Sequence, residues 1–472
     1  MITLRPDQER FVADLRTAFA SHKSVLGMAP TGFGKTVVSA HIAAAAASKG
    51  KRVLFSVHRE ELLHQTAATF DSFGIRYGYV KSGMVYDRTP LVHIASIDTL
   101  RNRMEQIAPP DLLVVDEAHL ARADTWHKCV AFYRALGARV LGNSGSPRRL
   151  DGKSLGSLFD SLVCGPSTAE LMAEGHLSRY RYFEGESPDV GNTAAEYKTG
   201  PLEAKTCTKR LIGDIAGRWL EHASDRRTVC FTVSHRHSSE LIEEFTSRGV
   251  RAESISSKSS KPERKRIIND FADGRIQVLC NVELITTGFD LAAQVGRDVT
   301  VDGIILARPT QSLALYLQMV GRGLRRKPHP CIILDHAGNS LRHGYPDDAR
   351  EWSLDGDDKP AQKKLPRPPL TCAVCYCQVR VPAPAKCPHC GNEWRSTAES
   401  AQRLMEYDTA AQIVEVTAEE REAKQREIAR SRSREEGGCK TLEDFVALGV
   451  ARGYADGWAQ HRWTARQARA HG

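Results

Sequence analysis

The sequence predicts an α/β protein of two tandem parallel-sheet lobes, followed by a small cysteine-rich module and a helical C-terminal tail. Three observations carry that prediction. Short apolar runs alternate with helical patterns twice along the chain. A glycine-rich loop ending in Lys-Thr follows the first run, and five of the twelve cysteines fall between Cys372 and Cys390. A length of 472 residues suits two cores plus appendages, because single cores stop growing well short of it.

The first alternation places strands near residues 25–28, 52–57, 91–95, 112–115 and 139–142. Continuously apolar strands are buried on both faces, which is the pattern of a parallel sheet between helix layers. The alternation restarts with strands near 228–233, 277–280, 303–306 and 331–334. Composition shifts divide the chain into lobe one at 1–166, a linker at 167–200 and lobe two at 201–345. A charged, proline-rich linker at 346–369, the cysteine module at 370–396 and a helical region at 397–472 complete it. No apolar run reaches the roughly 18 residues of a spanning helix, and the N-terminus lacks signal-peptide order, so a soluble cytoplasmic protein with no membrane partner is expected.

Net charge is +9, and seven basic residues against Glu393 alone between Lys359 and Ser396 supply six of those units. A basic module can attract nucleic-acid phosphates, although a solvated surface explains the charge equally well. Within it, Cys372, Cys375, Cys387 and Cys390 have the paired spacing of a tetrahedral Zn²⁺ ribbon, with Pro388 and Gly391 suited to the tight turn. Cys377 is an alternative to Cys375, and His389 a weaker candidate. Clustered thiols with the remainder scattered singly indicate a metal site and no disulfides.

Ala29-Pro30-Thr31-Gly32-Phe33-Gly34-Lys35-Thr36 lies where the first strand gives way to the first helix. Glycines there let backbone N–H groups converge on phosphates at a helix N-terminus, Lys35 would neutralise phosphate charge, and the Thr36 hydroxyl would sit on Mg²⁺. Thr31, Gly32, Phe33 and Gly34 complete the candidate nucleotide-phosphate cradle. Asp116-Glu117-Ala118-His119 ends the buried run 112–115, delivering two acids where α/β sheets bind ligands: Asp116 for Mg²⁺ and Glu117 as base toward water. In the second lobe, Arg322 and Arg325 are three apart and would share a helix face aimed at a γ-phosphate, while a surface basic helix is the plainer reading.

These residues resemble superfamily 2 helicases of the DEAH-box kind, and more closely the phage-type and RadD-like DNA repair helicases, over about residues 2 to 345. The resemblance implies two RecA-like lobes of the P-loop NTPase class and an ATP-dependent DNA helicase or translocase using ATP, Mg²⁺ and Zn²⁺. Repair, recombination or phage replication is the implied setting, and single-stranded or forked DNA the implied polymer. By resemblance Gln8 reads adenine with help from Arg5, while Arg59, Ser96 and Thr99 contact the strand backbone. Ser144 and Ser146, in a Ser-Gly-Ser-Pro segment where the family has Thr-Ala-Thr-Pro, couple hydrolysis to strand separation with His119. Gly288 and Asp290 line the interlobe cleft, and Gln318 joins Arg322 and Arg325 at the phosphates. Arg308 to Ser312 and Asp335 to Asn339 are further family markers without a derivable role. An RNA helicase remains the second reading, and a nucleic-acid-binding scaffold that has lost hydrolysis the third.

Overall fold

The computed structural model describes residues 3–58, 60–120, 123–149, 154–185, 187–188, 190, 196–256, 258–282, 284, 291–354, 370–371, 378–379, 386–392, 439, 441–452, 460 and 462–464. Two parallel sheets organise them. The first contains β1 (Ser24–Met28), β2 (Val53–Val57), β3 (Tyr77–Val80), β4 (Val92–Ser96), β5 (Leu112–Val115), β6 (Arg139–Ser144) and β7 (Ser161–Cys164) in the order β3-β4-β2-β5-β6-β1-β7. The second contains β8 (Tyr180–Glu184), β9 (Thr228–Phe231), β10 (Ala252–Ser256), β11 (Val278–Val282), β12 (Gly303–Leu306) and β13 (Cys331–Asp335) in the order β10-β11-β9-β12-β13-β8.

Alternate residues of each central strand feed two separate cores. Val25, Val53, Phe55, Ile94 and Val114 pack on one side of the first sheet, and Leu26, Leu54, Ala95, Leu113 and Val140 on the other. Val229, Leu279, Ile304 and Ile333 face one layer of the second sheet while Cys230, Val278, Ile305 and Ile332 face the opposite one. Both faces are dry, which is why these runs read as continuously apolar.

Two boundaries differ from the sequence expectation. The linker expected at 167–200 is interrupted by β8, which pairs in parallel with β13 and so belongs to the second sheet. A helix at Thr168–Ala173, closed by a Ser167–Glu170 capping box, precedes it. The crossing between lobes is therefore the short stretch after Ala173. The linker expected to begin at residue 346 is packed through residue 354: Arg350 donates to the carbonyls of His343, Tyr345 and Asp348 at 3.0, 2.6 and 3.1 Å, and Leu354 packs on the first lobe's core. Of the region after 396, the described residues include a helix at Leu442–Arg452, and the rest of the expected helical tail lies outside the described residues. Among the described residues no helix is long and apolar enough to cross a membrane.

Candidate active site between the two lobes

The phosphate loop leaves β1 with Gly32 at φ 90° and Gly34 at φ 94°, a left-handed backbone that glycine alone adopts cheaply. Gly34 caps the helix Lys35–Ala47 without a side-chain bond, leaving its first N–H groups directed at the cleft. Lys35 Nζ lies across the loop, donating to the carbonyls of Ala29 at 2.9 Å and Pro30 at 3.2 Å. Burial pushes its pKa down, opposed by the nearby Glu117 and Asp116 carboxylates. Thr36 follows in the first helical turn. Phe33 contributes its backbone only. Its ring is fully buried, edge-on to Phe11 at 5.4 Å, with the Arg5 guanidinium 5.6 Å from its centre.

Arg5 and Gln8 grip that same residue. Gln8 Nε2 donates to the Phe33 carbonyl at 2.9 Å and Arg5 Nη2 at 3.1 Å, while Gln8 Oε1 accepts the Arg5 backbone N–H at 3.1 Å. The two residues expected to recognise adenine are thus fastened to the loop that would hold the phosphates.

Asp116 and Glu117 follow β5 directly. Glu117 has φ 48°, the one non-glycine residue with positive φ among the described residues, and such strain gathers at functional positions. Burial raises the Asp116 carboxyl, and the adjacent Glu117 charge raises it further against the pull of Lys35. Burial also acts to raise Glu117, but His119, Lys35, Arg322 and His58 outweigh it and hold this carboxyl below its usual range. An ionised Glu117 beside a harder-to-ionise Asp116 gives two acids distinct environments, as separate base and metal-ligand roles require. Thr36 and Asp116 are the oxygen donors suited to Mg²⁺.

His119 joins the lobes. It is 2% exposed, its Nδ1 lies 3.0 Å from Ser144 Oγ and 3.4 Å from a Glu117 carboxylate oxygen, and its Nε2 meets Gln318 Nε2 of the second lobe. The Gln318 amide and His119 Nε2 share one hydrogen bond, its direction set by the ring's tautomer. The Ser144 hydroxyl donates to the Ser146 carbonyl. Burial drives the His119 pKa down, against the attraction of the Glu117 carboxylate and the hydrogen bond to Gln318. Ser146 Oγ accepts the Arg148 N–H at 3.1 Å, so both serines of the segment hold its turn.

The arginines do not share a helix face. The helix Leu313–Gly321 stops at Gly321, Arg322 is its cap at φ −64°, and Arg325 lies in an extended bridge to Leu177. Gly321 and Gly323 explain the break. A Cβ on Gly323 would stand 2.5 Å from Cys331 Sγ, and one on Gly321 would stand 2.6 Å from Cβ of Thr31 in the phosphate loop. This close approach sets Arg322 within electrostatic reach of both Lys35 and Glu117. The marker segments frame the same helix: Glu196 Oε2 accepts from Thr310 Oγ1 and from the N–H groups of Gln311 and Ser312, and Asn339 Oδ1 accepts from Thr310 N. Glu196, a residue the sequence reading passed over, had no local signal to mark it.

Ser96, the last residue of β4, caps the helix Ile97–Arg103 without a side-chain bond, and Thr99 follows in its first turn, so both lie at the carboxyl end of a strand of the sheet that bears the phosphate loop. Arg59, Gly288 and Asp290 lie outside the described residues, as do Cys372, Cys375 and Cys377. The second cysteine pair is described. Cys387 N donates to Asn392 O and Gly391 N to Cys387 O, a turn completed by Gly391 at φ 73°. Cys387 is buried within the second lobe's core and Cys390 is exposed. His389 contacts Arg181 and sets its ring edge-on to Phe183 at 5.8 Å, so it is engaged by β8.

Fold and site together define a two-lobed ATP-hydrolysing enzyme. Residues 1–149 match the family "Type III restriction enzyme, res subunit", and residues 208–327 match "Helicase conserved C-terminal domain". The "51.5 kDa protein" of Lactococcus phage (isolate 7-9) is 31% identical over 328 residues, covering 68% of this chain and 68% of that protein. The "Putative ATP-dependent helicase IRC3" of Saccharomyces cerevisiae is 29% identical over 307 residues, 61% of this chain and 43% of the yeast protein, so the chain spans less than half of that relative. Among solved structures, "ATP-dependent Type ISP restriction-modification enzyme LlaBIII bound to DNA" shares the fold with a TM-score of 0.50 at 14% identity, covering 71% of this chain and 28% of that one. The chain belongs to the superfamily 2 helicases.

Proposed function

We propose that the chain is a DNA-stimulated ATPase that moves along or unwinds DNA, acting in repair, recombination or phage replication. The observation that carries this reading is His119, which touches Glu117 and Ser144 of one lobe and Gln318 of the other. A single buried ring thereby links the candidate base, the segment expected to couple hydrolysis to the strand, and the helix leading to the arginines.

ATP would place its adenine against Arg5 and Gln8 and its phosphates over Gly32 to Thr36. Bound Mg²⁺, held through Thr36 and Asp116, would supply charge neutralisation for the phosphates. Glu117 orients a water and takes its proton as the γ-phosphate is cleaved. Arg322 and Arg325 offset the charge that develops, an effect on the order of 10³ to 10⁵ in rate for arginines so placed. Gln318 senses the outcome through His119, and Ser144 and Ser146 carry it to the strand face, where Arg59, Ser96 and Thr99 hold backbone phosphates. Gly288 and Asp290 belong to the same cleft. Phosphate contacts of this kind position a strand without reading its sequence. Support for DNA comes from the DNA-bound LlaBIII complex that shares the fold.

The cysteine module would hold a structural Zn²⁺ through Cys372, Cys375, Cys387 and Cys390, with Cys377 as substitute for Cys375. The turn at Cys387 to Gly391 supports one half of such a ligand set, and Cys387 packs in the second lobe's core. ATPase and strand-displacement rates with single-stranded DNA, forked duplex DNA, single-stranded RNA and no polymer test the proposal. DNA-selective stimulation is expected; RNA-only stimulation would establish the RNA helicase reading in its place.

A further inference from the structure

Leu177 and Ser178 are consecutive residues that serve different lobes. Leu177 is 3% exposed in the first lobe's core, and its Cδ2 lies 2.7 Å from where a Cβ on Gly32 would stand, so it fills the space against the phosphate loop. Its N–H donates to Leu171 O at 3.0 Å, fixing it to the helix before it. Ser178 is bonded to the second lobe at both its backbone and its side chain: its N–H donates to Leu324 O at 2.9 Å, its hydroxyl donates to Arg325 O at 2.9 Å with Lys327 O at 3.4 Å as a second acceptor, and the same oxygen accepts Lys327 N–H at 3.0 Å.

The turn that carries Arg325 needs such a support. Past Gly321 the helix has ended, and the local main-chain bonds of the turn finish with Leu324 N to Gly321 O at 3.3 Å. Beyond that point the backbone of Leu324 to Lys327 is held by Ser178 and by the extended bridge between Leu177 and Arg325, while the Lys327 ammonium donates to the carbonyls of Gly323 and Val301. Two adjacent residues, about 7 Å of chain at most, thus span from the phosphate loop to the arginine turn. We propose that Leu177–Ser178 is a clamp that sets the distance between the phosphate loop and Arg325, with Ser178 the positioning residue for that arginine. The clamp rests on the reading that Arg325 serves the ATP phosphates.

Removing the hydroxyl deletes its bonds to Arg325 O and Lys327 N and lets the turn drift. A displacement on the order of 1 Å at a reacting group costs up to about 100-fold in rate. The backbone bond from Ser178 N survives the change, and the arginine itself remains. Steady-state ATPase of the full chain with single-stranded DNA therefore separates the cases. Ser178→Ala is expected to lower kcat about 10-fold or more with the ATP KM within about 2-fold, and Ser178→Thr, which restores the hydroxyl, to recover most of the loss. Ser178→Ala turning over like the parent while Arg325→Ala is inactive would overturn the clamp. Full activity in Arg325→Ala would instead refute the arginine reading beneath it. Should Ser178→Ala fail to fold, Ser178→Cys, which keeps the volume with a weaker hydrogen-bonding group, carries the same test: a lowered kcat at unchanged KM supports the clamp, and parental kcat overturns it.

Discussion

Gly321→Ala is a substitution that favours its own helix and damages the enzyme. Gly321 is the last residue of the helix Leu313–Gly321, where alanine gains about 1 kcal/mol of helix propensity over glycine. The added Cβ, however, would lie 2.6 Å from Thr31 Cβ, 3.0 Å from its Cγ2 and 3.2 Å from its Oγ1. Carbon atoms rest about 3.5 to 4.0 Å apart, so the two lobes must separate by roughly 1 Å. Rotating the Thr31 side chain relieves the outer contacts and leaves the closest one, because that atom is the Cβ itself. Thr31 belongs to the phosphate loop, so the separation moves the loop away from Arg322, and a misplacement of this size costs about 100-fold in rate, or about 2.7 kcal/mol of barrier. The assay is steady-state ATPase with single-stranded DNA alongside a thermal melt of the same preparation. The expected result is unchanged or slightly higher melting with turnover down about 100-fold. Parental turnover in Gly321→Ala would refute the reasoning, because it would mean that the approach of Gly321 to Thr31 is not part of the working enzyme.

Other consequences follow from the same geometry. His119→Ala severs Ser144 from Gln318, so ATP affinity should stay within a few-fold while stimulation of turnover by DNA falls about 10-fold or more, measured as the ratio of rates with and without DNA. Phe33→Ala empties a fully buried ring site against Phe11 and should cost the first lobe about 3 to 5 kcal/mol in urea unfolding. His237, 1% exposed in the second lobe, has its pKa pushed down by burial to about 4, so the unfolded chain binds its proton first as pH falls. Its contribution is therefore complete above about pH 6.5 and lost progressively toward pH 4, up to about 3 kcal/mol, and His237→Gln should flatten that part of the stability profile. Cys387→Ser should abolish bound zinc in elemental analysis and expose the cysteine module to protease, while ATP binding by the two lobes persists.

The sheet centres were legible in the sequence and the sheet edges were not. The nine strands read from apolar runs, such as 112–115 and 303–306, are central and buried on both faces. The four that escaped, β3, β7, β8 and β10, are the outer strands of the two sheets. Edge strands are short and half polar, as Ala252–Ser256 and Tyr180–Glu184 show, so no continuous run announces them. Missing β8 is also what stretched the expected interlobe linker to residue 200. In the site, Gly32, Gly34 and Lys35 were readable because a phosphate loop demands those residue types locally, and Asp116 and Glu117 because they end a buried strand. The shared helix face expected for Arg322 and Arg325 failed because helical spacing cannot foresee the packing that Gly321 and Gly323 permit. Ser178 and Glu196 act through the main chain of distant segments, and nothing in their own neighbourhoods records it.

The central claim is that both lobes build one ATP site whose turnover answers to a nucleic-acid strand. It is tested most directly by ATP hydrolysis at saturating ATP, with and without single-stranded DNA, in the parent chain and in Glu117→Gln. The account predicts strong stimulation in the parent and, in the variant, retained ATP binding with turnover lowered by at least about 100-fold. A rate indifferent to every DNA or RNA polymer, or a Glu117→Gln enzyme as fast as the parent, would contradict it.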